Sequence, residues 1–146
     1  MRRKKPSKAW ADRLCSAAAI LRDGHCVTCG KINETLQPGH FFGRTRQRLR
    51  WEMLNIGCQC ASCNAIHENN PLPLERWIRK AVGEPVFEVL ERQSGQPYPQ
   101  PNMSLHIEEL QHFILTLTRF GRLSDRMQEK VLWGDFTNRE LIEAIR

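Results

Sequence analysis

Four cysteines set out the chemistry of this chain. Cys26 and Cys29 form one C-x-x-C, Cys60 and Cys63 form a second, and 30 residues separate the pairs. Zn²⁺ takes four soft or borderline ligands in a tetrahedron, and two such pairs supply four thiolates. A disulfide pair, or thiols simply buried in a core, are the other uses open to these residues. Cys58 makes a C-x-C with Cys60 and is read as packing, with Cys60 the ligand because it completes a C-x-x-C. Cys58 in place of Cys60 is the alternative. Cys15 lies beside an apolar face and is read as core.

Between the pairs sit Gly39-His40 and an arginine run, Arg44, Arg46, Arg48 and Arg50. Beyond the last cysteine come Asn64, His67 and Glu68, which share one face of a helix beginning near Ser62. A neutral imidazole at His40 can take a proton from water near pH 7. An amide oxygen and a carboxylate suit a hard cation such as Mg²⁺ or Mn²⁺, which binds phosphate and stabilises a leaving oxygen. Together these residues point to phosphodiester hydrolysis. His25, beside Cys26, is a further candidate ligand but is expected to face solvent or DNA.

Charge points to the same partner. The net charge is +6, yet residues 1–50 hold 12 Lys or Arg against 3 acids, while the two later thirds are slightly acidic. A basic first third calls for a polyanion, and nucleic acid is the usual one. Arg44, Arg46, Arg48 and Arg50, with Lys4 and Lys5, are the expected DNA-binding side chains, since Arg grips phosphate oxygens in pairs. If the run is extended, its guanidiniums share one side; if it is a loop, they form a cationic finger.

The elements that position these residues follow from periodicity. Residues 1–8 are predicted to be a flexible basic arm. Ser7 caps a helix whose face carries Trp10, Leu14, Ala17, Ala18 and Leu21, and Asp23-Gly24 ends it. Gly39 to Phe42 reads as a short strand with His40 at its start. Leu49 to Trp51 reads as a second strand. Helices are predicted from Leu74 to Val82 and from Pro85 to about Arg92. Residues 95–102, with Pro97, Pro99 and Pro101, form a stiff linker. Further helices are predicted over about 104–119 with Ser104 as cap, over 125–132, and from Thr137, where Glu140 completes a capping box. The domain plan is therefore the arm, a zinc-stapled domain over 9–94, the linker, and a helical region over 103–146. These last helices either pack back on the zinc domain or pair with a second copy as a homodimer.

The pattern C-x-x-C-G, G-H, L-R-aromatic, N-x-x-x-Q-C-x-x-C-N resembles the NinG family, also called Rap. Here it falls on Cys26, Cys29, Gly30, Gly39, His40, Leu49, Arg50, Trp51, Asn55, Gln59, Cys60, Cys63, Asn64 and Asn70, within a resemblance spanning about Ala9 to Arg92. More broadly it is similar to the HNH, or ββα-metal, nucleases on a treble-clef zinc fold. The resemblance implies an α+β fold and a phage recombination endonuclease that cuts branched DNA such as Holliday junctions. It also implies a base at His40, a loop-holding Asn55 and a metal-binding Asn64. The family's D-A-G-H is here Gln37-Pro38-Gly39-His40, and Gly57 stands where a histidine is frequent. A catalytic ion is therefore expected at Asn64 with His67 or Glu68. The alternatives in other classes are a zinc-stabilised DNA-binding module without catalysis and a protein-interaction domain. No signal peptide or apolar run of about 18 residues is visible, so a cytoplasmic protein with no membrane partner is expected.

Overall fold

The computed structural model describes residues 3–146; the first two residues of the expected basic arm lie outside the described residues. The fold is α+β, as the sequence implies. Among the described residues it has seven helices and one two-stranded sheet.

Helix α1 (Lys8–Asp23) starts where Ser7 accepts the Trp10 N–H and ends where Gly24, at φ 69°, donates to the Ile20 carbonyl. Only a residue free of a Cβ adopts that left-handed turn at little cost. The expected amphipathic face is too narrow. Ala11, Ser16, Ala19 and Ile20 are buried as well as the predicted stripe, so α1 is covered nearly all round. A helix enclosed in this way is the central post of its domain. Its run of alanines lets neighbours approach closely.

Strand β1 (Gln37–His40) pairs antiparallel with β2 (Ile56–Gln59), setting Gly39 opposite Gly57 and His40 opposite Ile56. Both strands differ from expectation. His40 ends the first strand instead of starting it, and Leu49–Trp51 lies in turns that lead to a short 3₁₀ turn at Met53–Asn55. The reason is polar: the intervening backbone finds its partners in the Asn55 side chain and in local turns, not in a ladder.

Helix α2 (Ala61–His67) leaves the sheet directly from Cys60. Helices α3 (Leu72–Val82) and α4 (Glu84–Ser94) then fold over a small second core of Leu74, Ile78 and Phe87, with Phe41 and Phe42 packed against it.

The chain's last third is α5 (Met103–Leu117), α6 (Asp125–Leu132) and α7 (Asn138–Ile145). Asn102, not Ser104, caps α5, and the Thr137–Glu140 capping box is present. Ile107, Leu110, Ile114, Val131, Leu141 and Ile142 share one core with α1 and with Ile56 and Cys58 of β2. These helices pack back on α1 within the chain. The 95–102 segment is also tied down: Pro97 accepts Arg48 Nη2, and the Tyr98 hydroxyl meets His106 Nε2 at 3.0 Å. No helix among the described residues is long and apolar enough to cross a membrane.

Candidate metal centre and histidine pocket

The two cysteine pairs converge. Gly30, at φ 78°, closes the first turn with its N–H on the Cys26 carbonyl at 2.8 Å. Val27 N–H donates to the Cys58 carbonyl at 2.8 Å and straps that turn to β2. Cys60 and Cys63 sit at the start of α2. The sulfurs of Cys26, Cys29, Cys60 and Cys63 lie within 4.8 Å of one another, and Cys29 Sγ to Cys60 Sγ is 3.8 Å. A tetrahedron with Zn–S bonds of ~2.3 Å has edges of ~3.8 Å, so a zinc ion fits this cluster.

The electrostatics agree. Burial alone would raise the Cys26 thiol, but backbone hydrogen bonds at Cys29, Cys60 and Thr28 outweigh it and bring it down to about 7. Cys63 goes the other way: burial and the neighbouring sulfurs push it up. Four thiols this close cannot all ionise without a cation among them. The remaining two cysteines stay outside the cluster. Cys15 is buried in the α1 core, and Cys58 is buried with its thiol pushed up to about 12 by burial and by Asp23.

Beside this cluster is an open cavity of about 810 Å³. His40, Asn64, His67 and Glu68 all line it, so the structure brings together the residues expected to act on a phosphodiester. The His40 ring donates from Nε2 to the Arg50 carbonyl at 2.8 Å; a carbonyl only accepts, so Nδ1 keeps its lone pair. Burial holds the His40 pKa below the usual histidine value and keeps the ring neutral, with the Arg44 charge acting in the same direction. Asn64 Nδ2 donates to Gln37 Oε1 at 3.1 Å, which leaves the Asn64 carbonyl oxygen as an acceptor. His67 Nε2 lies 3.4 Å from the Phe41 carbonyl, and its buried Nδ1 has no hydrogen-bond partner. Glu68 is exposed at the end of α2.

Asn55 is completely buried. Its Nδ2 donates to the carbonyls of Phe42 and Leu49 at 2.9 and 3.2 Å, and its Oδ1 accepts the Phe42 N–H at 2.8 Å. One side chain thus closes both ends of the arginine loop. Within that loop the side chains part company. Arg44 and Arg50 both reach Asp12 at 2.6 Å, Arg48 lies over the Tyr98 ring, and Arg46 is exposed with no ion pair among the described residues. Lys4 lies on a different part of the surface, where its ammonium meets the Trp133 carbonyl and Asp135. Lys5 is exposed.

Four polar lining residues carry no site signal in the sequence: Asp12, Arg13 and Ser16 on α1, and Asn138 on α7. Asn138 Nδ2 donates to Ser16 Oγ and the Leu36 carbonyl, and its buried Oδ1 is left without a partner. No spacing in the chain links these positions to His40. Gly57 has its own structural reason. A Cβ there would stand 2.9 Å from Trp77 and 3.0 Å from both Leu74 and Val27, so no histidine fits without moving α3.

A family model described as the bacteriophage Lambda NinG protein matches residues 3–122 of the 146. No curated protein and no solved structure matches the chain.

Proposed function

The chain belongs to the NinG family, and from that premise we propose that it is a metal-dependent DNA endonuclease of the HNH type. Its substrate would be branched DNA, such as a Holliday junction, in phage recombination. The observation that carries this reading is the His40 ring: Nε2 is occupied by the Arg50 carbonyl while the ring lines an open pocket with Asn64, His67 and Glu68. His40 Nδ1 would accept a proton from the water that attacks phosphorus, a task for which a neutral imidazole is suited. Asn55 would act indirectly, by holding the loop that carries Arg50.

Asn64, His67 and Glu68 offer an amide oxygen, an unpaired ring nitrogen and a carboxylate, a donor set that would hold Mg²⁺ or Mn²⁺. The ion would supply charge neutralisation at the scissile phosphate and the leaving oxygen. Arg46, with Arg44 and Arg48 beside it, would contact flanking phosphates. Lys4 and Lys5 would extend that grip, and Arg50 would serve the site through its carbonyl and its ion pair. The four-thiol cluster would act only as a staple. Ile107, Leu110 and Ile114 of α5, Val131 of α6 and Leu141 and Ile142 of α7 are buried within the chain, while Leu105 and Leu115 of α5 are exposed. A cytoplasmic site of action, within a host cell, goes with this reading.

One observation favours a second reading, a zinc-stabilised DNA-binding module without catalysis. β1 carries Gln37 in place of the family acid, and Gly57 has no room for a histidine. Among the described residues the four thiols form the only cluster of three or more His, Cys, Asp or Glu side chains. Incubating the zinc-loaded protein with matched junction, flap and linear DNA under Mg²⁺ or Mn²⁺ separates the two. Cutting that His40→Ala abolishes with folding intact supports the nuclease. DNA binding with no cutting on any substrate supports the binding module.

A further inference from the structure

Asp12 is the most heavily hydrogen-bonded carboxylate of the pocket. Its two oxygens accept four N–H donors: Arg44 Nη2 at 2.6 Å, Arg50 Nη2 at 2.6 Å, Arg50 Nε at 3.0 Å and Trp51 Nε1 at 2.9 Å. Burial alone would raise this carboxyl, but the Arg50 and Arg44 guanidiniums and the Trp51 indole hold it below the usual value. With its lone pairs committed in this way, Asp12 is not the missing metal-binding acid of β1. It has a different use.

The Arg50 carbonyl that receives the His40 N–H belongs to the peptide unit joining residues 50 and 51. Both of those residues end their side chains on Asp12. That peptide lies in a turn without regular structure, so nothing in a helix or ladder sets the direction of its C=O. The two side-chain anchors do. Rotating the peptide would pull either the guanidinium or the indole off the carboxylate. Asp12 is fixed in its turn, because α1 is buried nearly all round. A rigid helix thus sets a carbonyl, and the carbonyl sets an imidazole.

We infer that Asp12 is a positioning residue for His40, acting through the Arg50–Trp51 peptide, and that it fixes the ring as the Nε2–H tautomer. This rests on the nuclease reading for its catalytic consequence, but the tautomer itself does not. Arg44 is the remaining donor on Asp12. It is 57% exposed at the pocket rim, against 18% for Arg50, so the same carboxylate divides the two arginines between surface and support.

The test uses full-length, zinc-loaded protein, with nitrogen-15 NMR of the His40 ring alongside cleavage kinetics and DNA affinity. Wild type should give a single Nε2–H tautomer. Asp12→Asn keeps the shape but loses the charge; it should give a tautomer mixture and lower kcat by about 10- to 100-fold. Its DNA affinity should stay equal or rise, because a negative charge has gone. A folding defect would instead weaken both. Arg50→Ala should reproduce the tautomer mixture, whereas Arg44→Ala should not. An unchanged His40 tautomer in Asp12→Asn and Arg50→Ala would overturn the inference. If wild type cuts no substrate, the nuclease reading falls, and the tautomer measurement still decides whether Asp12 orders the ring.

Discussion

The four-thiol cluster and the histidine pocket lie on one two-stranded sheet and share the short helix α2, yet they are built differently. The cluster comes from two local turns, each supplying a pair of sulfurs, joined by one short sheet. The pocket draws on α1, β1, the arginine loop, α2 and α7, so its residues span Asp12 to Asn138. The first can be made wherever two turns meet. The second exists only when the whole chain has folded. Stability should therefore hang on the thiols, and chemistry on the pocket.

The largest effect should come from the cluster. Structural zinc contributes on the order of 10–16 kcal/mol in small zinc domains at pH 7. Cys26→Ser, or removal of zinc by a chelator, should abolish cooperative melting in circular dichroism, with zinc content falling in parallel. Survival of the full helical signal and melting transition without metal would break the comparison.

His40→Ala tests the other side. On the proposed function it should lower cleavage by about 10²- to 10⁴-fold. Zinc content and melting temperature should stay close to wild type, since His40 lies on the wall of an open cavity. Equal losses of stability and activity would mean that the two regions are not separable.

Asn55→Ala should fall between the two. It strands the backbone groups of Phe42 and Leu49, at roughly 1–3 kcal/mol for each buried group left without a partner. Denaturant melts should show that loss, and hydrogen exchange should place the opening in residues 42–49. Gly57→Ala sharpens the contrast further, because it crowds Trp77, Leu74 and Val27 away from the pocket. Overpacking of this kind costs about 1–3 kcal/mol, and the zinc content should not change.

The smallest effect is that of pH. His40 has its pKa lowered by burial, so the folded protein keeps the ring neutral somewhat below about 6.5, where an unfolded histidine begins to take a proton. Its contribution to stability is therefore full above about pH 6.5 and declines as pH falls towards the folded value. The acid limb of cleavage, followed as kcat/KM, should likewise lie below about pH 6.5. A limb above that value would mean the ring is not the buried one seen beside Arg50.

Local signals are legible in the sequence where they carry their own physics. Ser7, Gly24 and the Thr137–Glu140 box marked helix ends, because a cap is a hydrogen bond within a few residues. Phe41–Phe42 and Leu49–Trp51 look like strand by composition, but the backbone there is held by one buried amide at Asn55. The buried surface of α1 is wider than its periodicity predicts, because alanines give no sign that α5 and α7 cover the opposite side.

By itself, the sequence determined the two cysteine pairs, the caps of α1 and α7 and the residues of the α2 face, since each depends on neighbours a few positions apart. Only the tertiary structure decided that Arg44 and Arg50 share one carboxylate, that Asn138 closes the pocket, and that an arginine carbonyl holds the His40 ring. Those contacts join positions from ten to more than a hundred residues apart, and no periodicity along a chain encodes which distant side chains will meet once it has collapsed.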